Sequence, residues 1–254
     1  MDLGLKGKKA IVTGGSRGIG RAIAETLADE GCDLAICARG ESGVEEAVGA
    51  LRKKRVKAWG APLDAADLAA LRAFVGDAAR ELGGLDIFIA NVSALGAGGM
   101  DDESWRRSLD IDIMATVAGV EAAIPPLAGS AAGAIVVIGS VAAVEVAGPM
   151  RPYIAVKAAL VPYVKALGRN LAAKGIRANM VSPGNVYFKG GVWHRHEEQN
   201  PKFFNAVLAR NPTGRMGTPQ EIADAAVFLA SARASFITGV NLIVDGALTQ
   251  RVQF

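Results

Sequence analysis

Short apolar runs alternate with longer amphipathic stretches along the whole chain. Lys9-Ala10-Ile11-Val12-Thr13 predicts a strand that stops at glycines. Residues 18–30 follow as a helix, with Ile19, Ile23 and Leu27 on the inward face and Gly31 as its stop. The same pattern predicts strands over 33–38, 56–63, 85–90, 134–138, 176–181 and 240–244. Helices are predicted over 44–55, 67–82, 104–124, 153–174 and 220–229. Strands that are apolar throughout are buried on both faces, as in a parallel sheet covered by helices. Strand–helix alternation at this spacing gives right-handed crossovers. The predicted fold class is therefore α/β: a single-domain, doubly wound parallel sheet with helices on both faces, spanning residues 1–254. Residues 184–215, rich in Gly, Asn, Pro and aromatics, break the pattern. An excursion of that length in a compact domain is either disordered or a functional lid, and a substrate lid is the reading adopted.

Composition narrows the function classes. In 254 residues, Lys and Arg number 28 and Asp and Glu 25, a net charge of +3. That balance is too mild for a nucleic-acid partner, and the longest basic run, Arg52-Lys53-Lys54-Arg55, reads as a solvated helix end. A hydrophobic share of 51% excludes a disordered chain. Cys32 and Cys37 cannot make a disulfide framework. They flank one strand, five positions apart, so their side chains fall on opposite faces as buried small hydrophobes in a reducing compartment. No apolar segment of the signal-peptide kind precedes the first strand. Residues 122–144 carry no charge and are long enough to span a bilayer. Pro125-Pro126, Gly129, Ser130, Gly133, Gly139 and Ser140 instead make them a helix end, a loop and a buried strand. The expectation is a soluble, cytoplasmic protein with no membrane or nucleic-acid partner.

The first strand runs through Thr13-Gly14-Gly15-Ser16-Arg17-Gly18-Ile19-Gly20 directly into a helix. Glycines here allow a tight turn and let a pyrophosphate approach the free N–H groups of the helix N-terminus. The spacing is G-x-x-x-G-x-G. Its place between the first strand and first helix of a repeating α/β pattern makes it a dinucleotide-binding, Rossmann-like turn, with Gly14, Ser16, Arg17, Gly18, Ile19 and Gly20 at the cofactor. An acid at the end of the second strand would bind a ribose 2′-hydroxyl. That position holds Arg39, whose guanidinium suits a 2′-phosphate, and Arg17 supplies a second cation. NADP(H) is favoured over NAD(H).

Tyr153 and Lys157 stand at i and i+4 of a predicted helix, on one face. A phenol, with an ordinary pKa of about 10, is a poor acid–base group at neutral pH. A neighbouring ammonium stabilises the phenolate, which suits proton exchange with a carbonyl or hydroxyl. Ser140 stands thirteen residues before Tyr153, at the end of a strand.

With the glycine turn, Ser140 and the Tyr153/Lys157 pair in this order, the chain resembles the short, single-domain type of short-chain dehydrogenase/reductase, nearly end to end. Within that family it is most similar to the 3-oxoacyl thioester reductases. The resemblance implies that Tyr153 is the general acid–base and that Ser140 hydrogen-bonds the substrate oxygen. It implies that Lys157 binds the nicotinamide ribose and assists the phenol. It also implies that Asn91 packs beside the cofactor, that Asp64 meets the adenine edge, and that Pro183, Gly184 and Val186 border the nicotinamide. It implies a homotetramer as well, in which the tail from Leu248 to Phe254 could cover a neighbouring subunit. The activity implied is NADP(H)-dependent interconversion of a ketone, such as a 3-oxoacyl thioester or small carbonyl compound, and a secondary alcohol.

Three departures stand out. Ala90-Asn91-Val92-Ser93 keeps only the second Asn of the family's Asn-Asn-Ala-Gly, and no Thr follows Pro183-Gly184 in Asn185-Val186-Tyr187-Phe188. The family's catalytic Asn of the long helix aligns with Asp112. Asp112 can hold the proton-relay water, or it can pair with Lys157. The first is favoured, because the helix can offer its backbone carbonyl to the relay whichever side chain is present. These departures keep open a second class, a cofactor-binding regulatory or scaffold protein with impaired catalysis. The longer nucleotide-sugar epimerase type is disfavoured by the short stretch after Gly184. His194 and His196 lack the partners of a metal site and read as exposed loop residues, with substrate contact as the less favoured alternative. Trp193, Phe203 and Phe204 are candidates to line an apolar substrate pocket, and Trp59 and Trp105 are packing residues.

Overall fold

Seven strands lie parallel in one sheet in the order β3-β2-β1-β4-β5-β6-β7. They are β1 (Lys9–Thr13), β2 (Asp33–Ala38), β3 (Ala58–Pro62), β4 (Ile87–Ala90), β5 (Ala134–Ile138), β6 (Arg177–Pro183) and β7 (Asn241–Val244). The structure, a computed structural model, describes residues 2–95, 99–146 and 151–252. The sheet is the doubly wound one that the alternation predicts. Strands β4 and β5 are buried at every position, as expected of central strands covered on both sides. Chain order reverses between β1 and β4, where Val12 lies beside Ile89. At such a switch point the loops leaving the carboxyl ends diverge and open a crevice.

The helices are α1 (Gly18–Asp29), α2 (Glu41–Lys53), α3 (Leu68–Leu82), α4 (Asp102–Ser108), α5 (Ala115–Ala128), α6 (Pro152–Leu171), α7 (Val192–Gln199), α8 (Pro201–Leu208) and α9 (Pro219–Ala230). Ile23 and Leu27 of α1, Val48 of α2 and Val227 of α9 pack on Val12, Ile36, Ile89 and Val136 of one sheet face. Leu71 and Val75 of α3, Val120 of α5 and Leu160 of α6 pack on Ile11, Phe88, Ile135 and Val137 of the other. Successive strand residues alternate between these two cores, the period-two pattern of a pleated strand. Cys32 belongs to the first core and Cys37 to the second, both as free thiols. Burial pushes each thiol up to about 12, with Asp86, Glu30 and Asp33 adding to the effect at Cys32. Trp59 stacks on Phe74 at 5.2 Å, a packing role as expected.

Three expectations about elements are corrected. The long helix predicted over 104–124 runs from Asp102 to Ala128, through Pro125-Pro126, and its middle turn, Leu109–Met114, is wound as a π-helix. That stretch is long and apolar enough to cross a bilayer, but Ala118, Val120, Ala123 and Leu127 are fully buried within the protein. Helix α2 begins at Glu41 rather than at 44. The segment 184–215, read as irregular, contains α7 and α8. Asn200 separates them and caps α8, its side-chain oxygen accepting from Phe203 N at 3.2 Å, with Pro201 in the first turn.

Both ends of the segment 184–215, the expected lid, are tied to the sheet region. Gly184 N donates to Val244 O, and Val186 bridges to Gly217. Beyond Gly217, α9 opens on a capping box. Thr218 Oγ1 accepts from Glu221 N, and Thr218 N donates to Glu221 Oε2 at 2.8 Å. Arg215 grips the same carboxylate through both guanidinium nitrogens, at 2.6 and 2.9 Å, and holds Glu221 down at about 2. At the other end of α9, Arg177 donates to the carbonyls of Leu229, Ala230 and Ser231 at 2.6, 3.1 and 3.0 Å. The Leu229 and Ala230 carbonyls are last-turn groups with no partner inside the helix, Ser231 caps it, and a cation there also complements the helix dipole.

Candidate active site

The crevice at the carboxyl ends of β1, β4, β5 and β6 opens into a cavity of about 510 Å³. Arg17, Ile19, Asn91, Ser140, Tyr153, Lys157, Pro183, Gly184 and Val186 all border it. The sequence separates these residues by as much as 169 positions; the parallel sheet brings them together at the carboxyl ends of its strands.

The glycine turn is built as a backbone cradle. Asn91 Nδ2 donates to the carbonyls of Thr13 and Gly14 at 3.0 and 3.2 Å, and Asn91 N donates to Thr13 Oγ1. Asn91 therefore fixes the turn's shape, beyond lying beside it. A Cβ on Gly20 would stand 2.3 Å from Gly14 O and 2.4 Å from Asn91 Nδ2, so only glycine fits there. Helix α1 begins at Gly18 with no side-chain cap and no acidic residue in its first turn. Its first N–H groups are thus left for an anion, and the turn fits a dinucleotide pyrophosphate.

The arginines divide. Arg39 is exposed at the end of β2, and Ser16 packs near Gly43 of α2, on the same side. Arg17 turns instead toward the lid, its Nη1 3.5 Å from Gly190 O. The lid meets the turn a second time at Phe188, whose ring lies where a Cβ on Gly18 would come within 2.6 Å of it. Asp64 is exposed beyond β3, and its side chain accepts from Ala66 N at 3.1 Å.

Ser140 follows β5 and starts a turn of 3₁₀-helix; its Oγ accepts from Ala142 N at 3.1 Å, which fixes the side chain. Tyr153 stands half-buried in the first turn of α6, and Lys157 stands one turn on, 2% exposed. The Lys157 Nζ lies 5.7 Å from the centre of the Tyr153 ring and donates to Ile138 O at 3.2 Å.

Asp112 is fully buried on the π-helical turn, and its carboxylate faces Lys157 directly: Oδ1 to Nζ is 3.1 Å. The ammonium meets Oδ1 off the hydrogen-bonding direction, so the contact is an ion pair without an aligned hydrogen bond. Oδ2 accepts from Ala94 N at 3.1 Å, and the Asp112 carbonyl accepts from Thr116 Oγ1. Of the two readings of Asp112, the pairing with Lys157 is the contact present. A π turn adds a residue to the helical repeat and swings the side chains that follow it, a device found often at functional sites.

The segment 184–215 corrects two further expectations. His194 and His196 are half-buried on α7, not exposed loop residues. Phe204 turns away from the cavity onto Tyr187, 6.1 Å between ring centres, while Trp193 and Phe203 do line it. Leu248 lines the cavity too, and Gln250 N donates to Glu145 Oε2 at 2.9 Å. Gln253 and Phe254, part of the expected intersubunit tail, lie outside the described residues. Sequence reasoning missed Phe188 and Leu248 as neighbours of the site; only their positions after β6 and β7 hinted at it.

This fold and this site define a nucleotide-dependent oxidoreductase built on one parallel sheet. The sequence profile of a family described as enoyl-(acyl carrier protein) reductase matches residues 14–249. Isoepoxydon dehydrogenase patN of Penicillium expansum is 37% identical over 258 residues, covering 100% of this chain and 99% of that protein. The 3-oxoacyl-(acyl-carrier-protein) reductase FabG of Escherichia coli (strain K12) is 33% identical over 252 residues, 97% of this chain and 99% of that one. Among solved structures, L-sorbose reductase from Gluconobacter frateurii, complexed with NADPH and L-sorbose, superposes with a TM-score of 0.89 at 30% identity. The match covers 99% of this chain and 100% of that one. The chain belongs to the short-chain dehydrogenase/reductase family, oxidoreductases acting on alcohol and carbonyl groups.

Proposed function

We propose that the protein uses NADP(H) to interconvert a ketone and a secondary alcohol, with Tyr153 as the acid–base. The observation that carries this is the placing of Tyr153 beside the Lys157 ammonium, in the cavity that Ser140 and the pyrophosphate cradle share. The nicotinamide, when bound, supplies or takes the hydride at the substrate carbon. Tyr153 gives a proton to the substrate oxygen during reduction and takes one during oxidation. Ser140, fixed by its bond from Ala142 N, has its own O–H to donate to that oxygen. Lys157 holds positive charge beside the phenol, which favours the phenolate that oxidation requires. Asn91 keeps the turn in shape for the pyrophosphate, and Arg39 favours the 2′-phosphate. The NADPH complex of L-sorbose reductase supports the cofactor choice.

Consumption of NADPH with a panel of activated ketones tests the reading. Tyr153→Phe should bind NADPH as the parent does and lose turnover by about 10²–10⁴-fold. Normal turnover in that variant would refute the role. A cofactor-binding protein without turnover is the reading that the Asp112–Lys157 pair favours, since it offsets the ammonium's charge; no NADPH consumption with any ketone would support it. A cytoplasmic homotetramer remains part of the proposal. Exposed Leu109, Met114 and Phe236 offer apolar surface that assembly would cover, and a monomeric mass by light scattering would exclude it.

A further inference from the structure

Two histidines stand two positions apart on α7, and the helix sends them to different surroundings. His194 is engaged within the lid: its Nδ1 is 3.6 Å from Glu198 Oε2, and its ring lies 6.1 Å from that of Tyr187. His196 forms a three-ring cluster with two aromatic residues, 5.6 Å from Trp193 and 5.0 Å from Phe203 by ring centres. Trp193 and Phe203 are themselves nearly parallel, 25° apart at 6.2 Å. All three border the cavity that holds Ser140 and Tyr153. Among the described residues, the imidazole nitrogens of His196 have no hydrogen bond or ion pair, so they are left for a ligand or solvent.

A wall of this kind recognises a particular shape. Faces and edges of π-systems attract other flat unsaturated rings through offset and edge-on contacts, whereas an aliphatic chain gains only burial. The imidazole beside the two rings can donate or accept a hydrogen bond, and so suits an oxygen carried on such a ring. Size points the same way. The cavity of about 510 Å³ lies mid-range for small-molecule sites, about 300–1,000 Å³, and must also admit the nicotinamide. Leu248 borders it as well, and the bond from Gln250 N to Glu145 Oε2 ties down the tail beyond that residue. The space left suits one ring better than a long acyl chain.

We propose that Trp193, His196 and Phe203 form a ring-recognising subsite, and that the substrate is a small unsaturated cyclic ketone bearing a further oxygen. The ring rests on Trp193 and Phe203, and the oxygen bonds to His196. This inference rests on the ketone–alcohol reading above.

The test compares NADPH-dependent reduction of cyclohexenone, a hydroxycyclohexenone, an open-chain hexenone and an acetoacetyl thioester. The cyclic ketones should be preferred in kcat/KM by about tenfold or more, a difference of about 1.4 kcal/mol in the barrier. His196→Phe should raise KM for the hydroxylated ring about tenfold more than for the plain ring. Trp193→Leu and Phe203→Leu should cut kcat/KM for the cyclic ketones more than for the hexenone. Preference for the open-chain compounds, or equal losses on every ketone, would overturn the subsite. Should the parent protein reduce none of the four, the ketone–alcohol reading fails and binding decides the subsite alone. Cyclohexenone should then quench the Trp193 fluorescence of the NADPH-loaded protein saturably, and Trp193→Phe should abolish the signal; no quenching overturns it. Retained NADPH binding in each variant shows that it is folded.

Discussion

Lys157 and Asp112 form a buried ion pair, 3.1 Å from Nζ to Oδ1, directly beneath the Tyr153 ring-bearing turn of α6. A carboxylate at that distance offsets part of the ammonium's field at the phenol. Removing its charge without its shape, in Asp112→Asn, leaves the ammonium unopposed. The ammonium then stabilises negative charge on the phenol oxygen more fully, so alcohol oxidation near neutral pH should quicken and the basic limb of its pH–rate profile should move down by about one unit, or 1.36 kcal/mol. Overlaid pH–rate profiles would contradict this. Asp112→Ala is the poorer probe, because stranding one member of a buried pair costs about 3–5 kcal/mol.

At the end of β2, Arg39 is exposed where a ribose-binding acid would favour NAD(H). Arg39→Asp should abolish or reverse the preference for NADPH, as read by fluorescence titration with the two reduced cofactors. Equal or tighter NADH binding by the unmutated protein would refute the assignment.

Arg177 closes the end of α9 with three hydrogen bonds from one guanidinium. Arg177→Met keeps the length of the side chain and removes every donor. It should lower unfolding free energy by about 3 kcal/mol, the scale of charged hydrogen bonds lost from a partly buried site. Urea denaturation measures it, and a midpoint unchanged from the parent would show the carbonyls content with water.

Glu221, held at about 2 by Arg215 and by Thr218 N, makes a pH-dependent contribution. Its folded pKa is below the ordinary value of 4.5, so the contribution is complete above that value and is lost as pH falls towards 2. The pair is solvent-exposed, so the energy is small and salt-sensitive. Glu221→Gln should therefore flatten the stability–pH curve between about 4.5 and 2 and leave the curve above it nearly parallel. Identical acid limbs in the two proteins would exclude the effect.

The sheet was readable because each central strand is apolar throughout, as in Ala134–Ile138, and because a glycine turn leads straight from β1 into α1. Tyr153, Lys157 and Ser140 were readable because their spacing follows from a helix and a strand end. Local pattern fails where a tertiary contact decides. Nothing in Leu109–Met114 marks a π turn, whose effect is to point Asp112 at a lysine forty-five residues later. The lid's helices were hidden by their length, eight residues each, too short for a periodicity to emerge from a mixed polar and aromatic stretch. Phe204 was assigned to the cavity with Phe203 because adjacent aromatics look alike in sequence; on a helix they diverge by about 100°.

Cys32 and Cys37 give the molecule a built-in pair of reporters, one in each of the two cores that sandwich the sheet. Each thiol is held near 12, so an alkylating reagent at neutral pH finds almost no thiolate until the covering helices separate. Labelling at Cys32 times the parting of α1, α2 and α9 from the sheet, and labelling at Cys37 times that of α3, α5 and α6. A chain that melts as one unit would label both together, and one that peels layer by layer would label them in the order of opening.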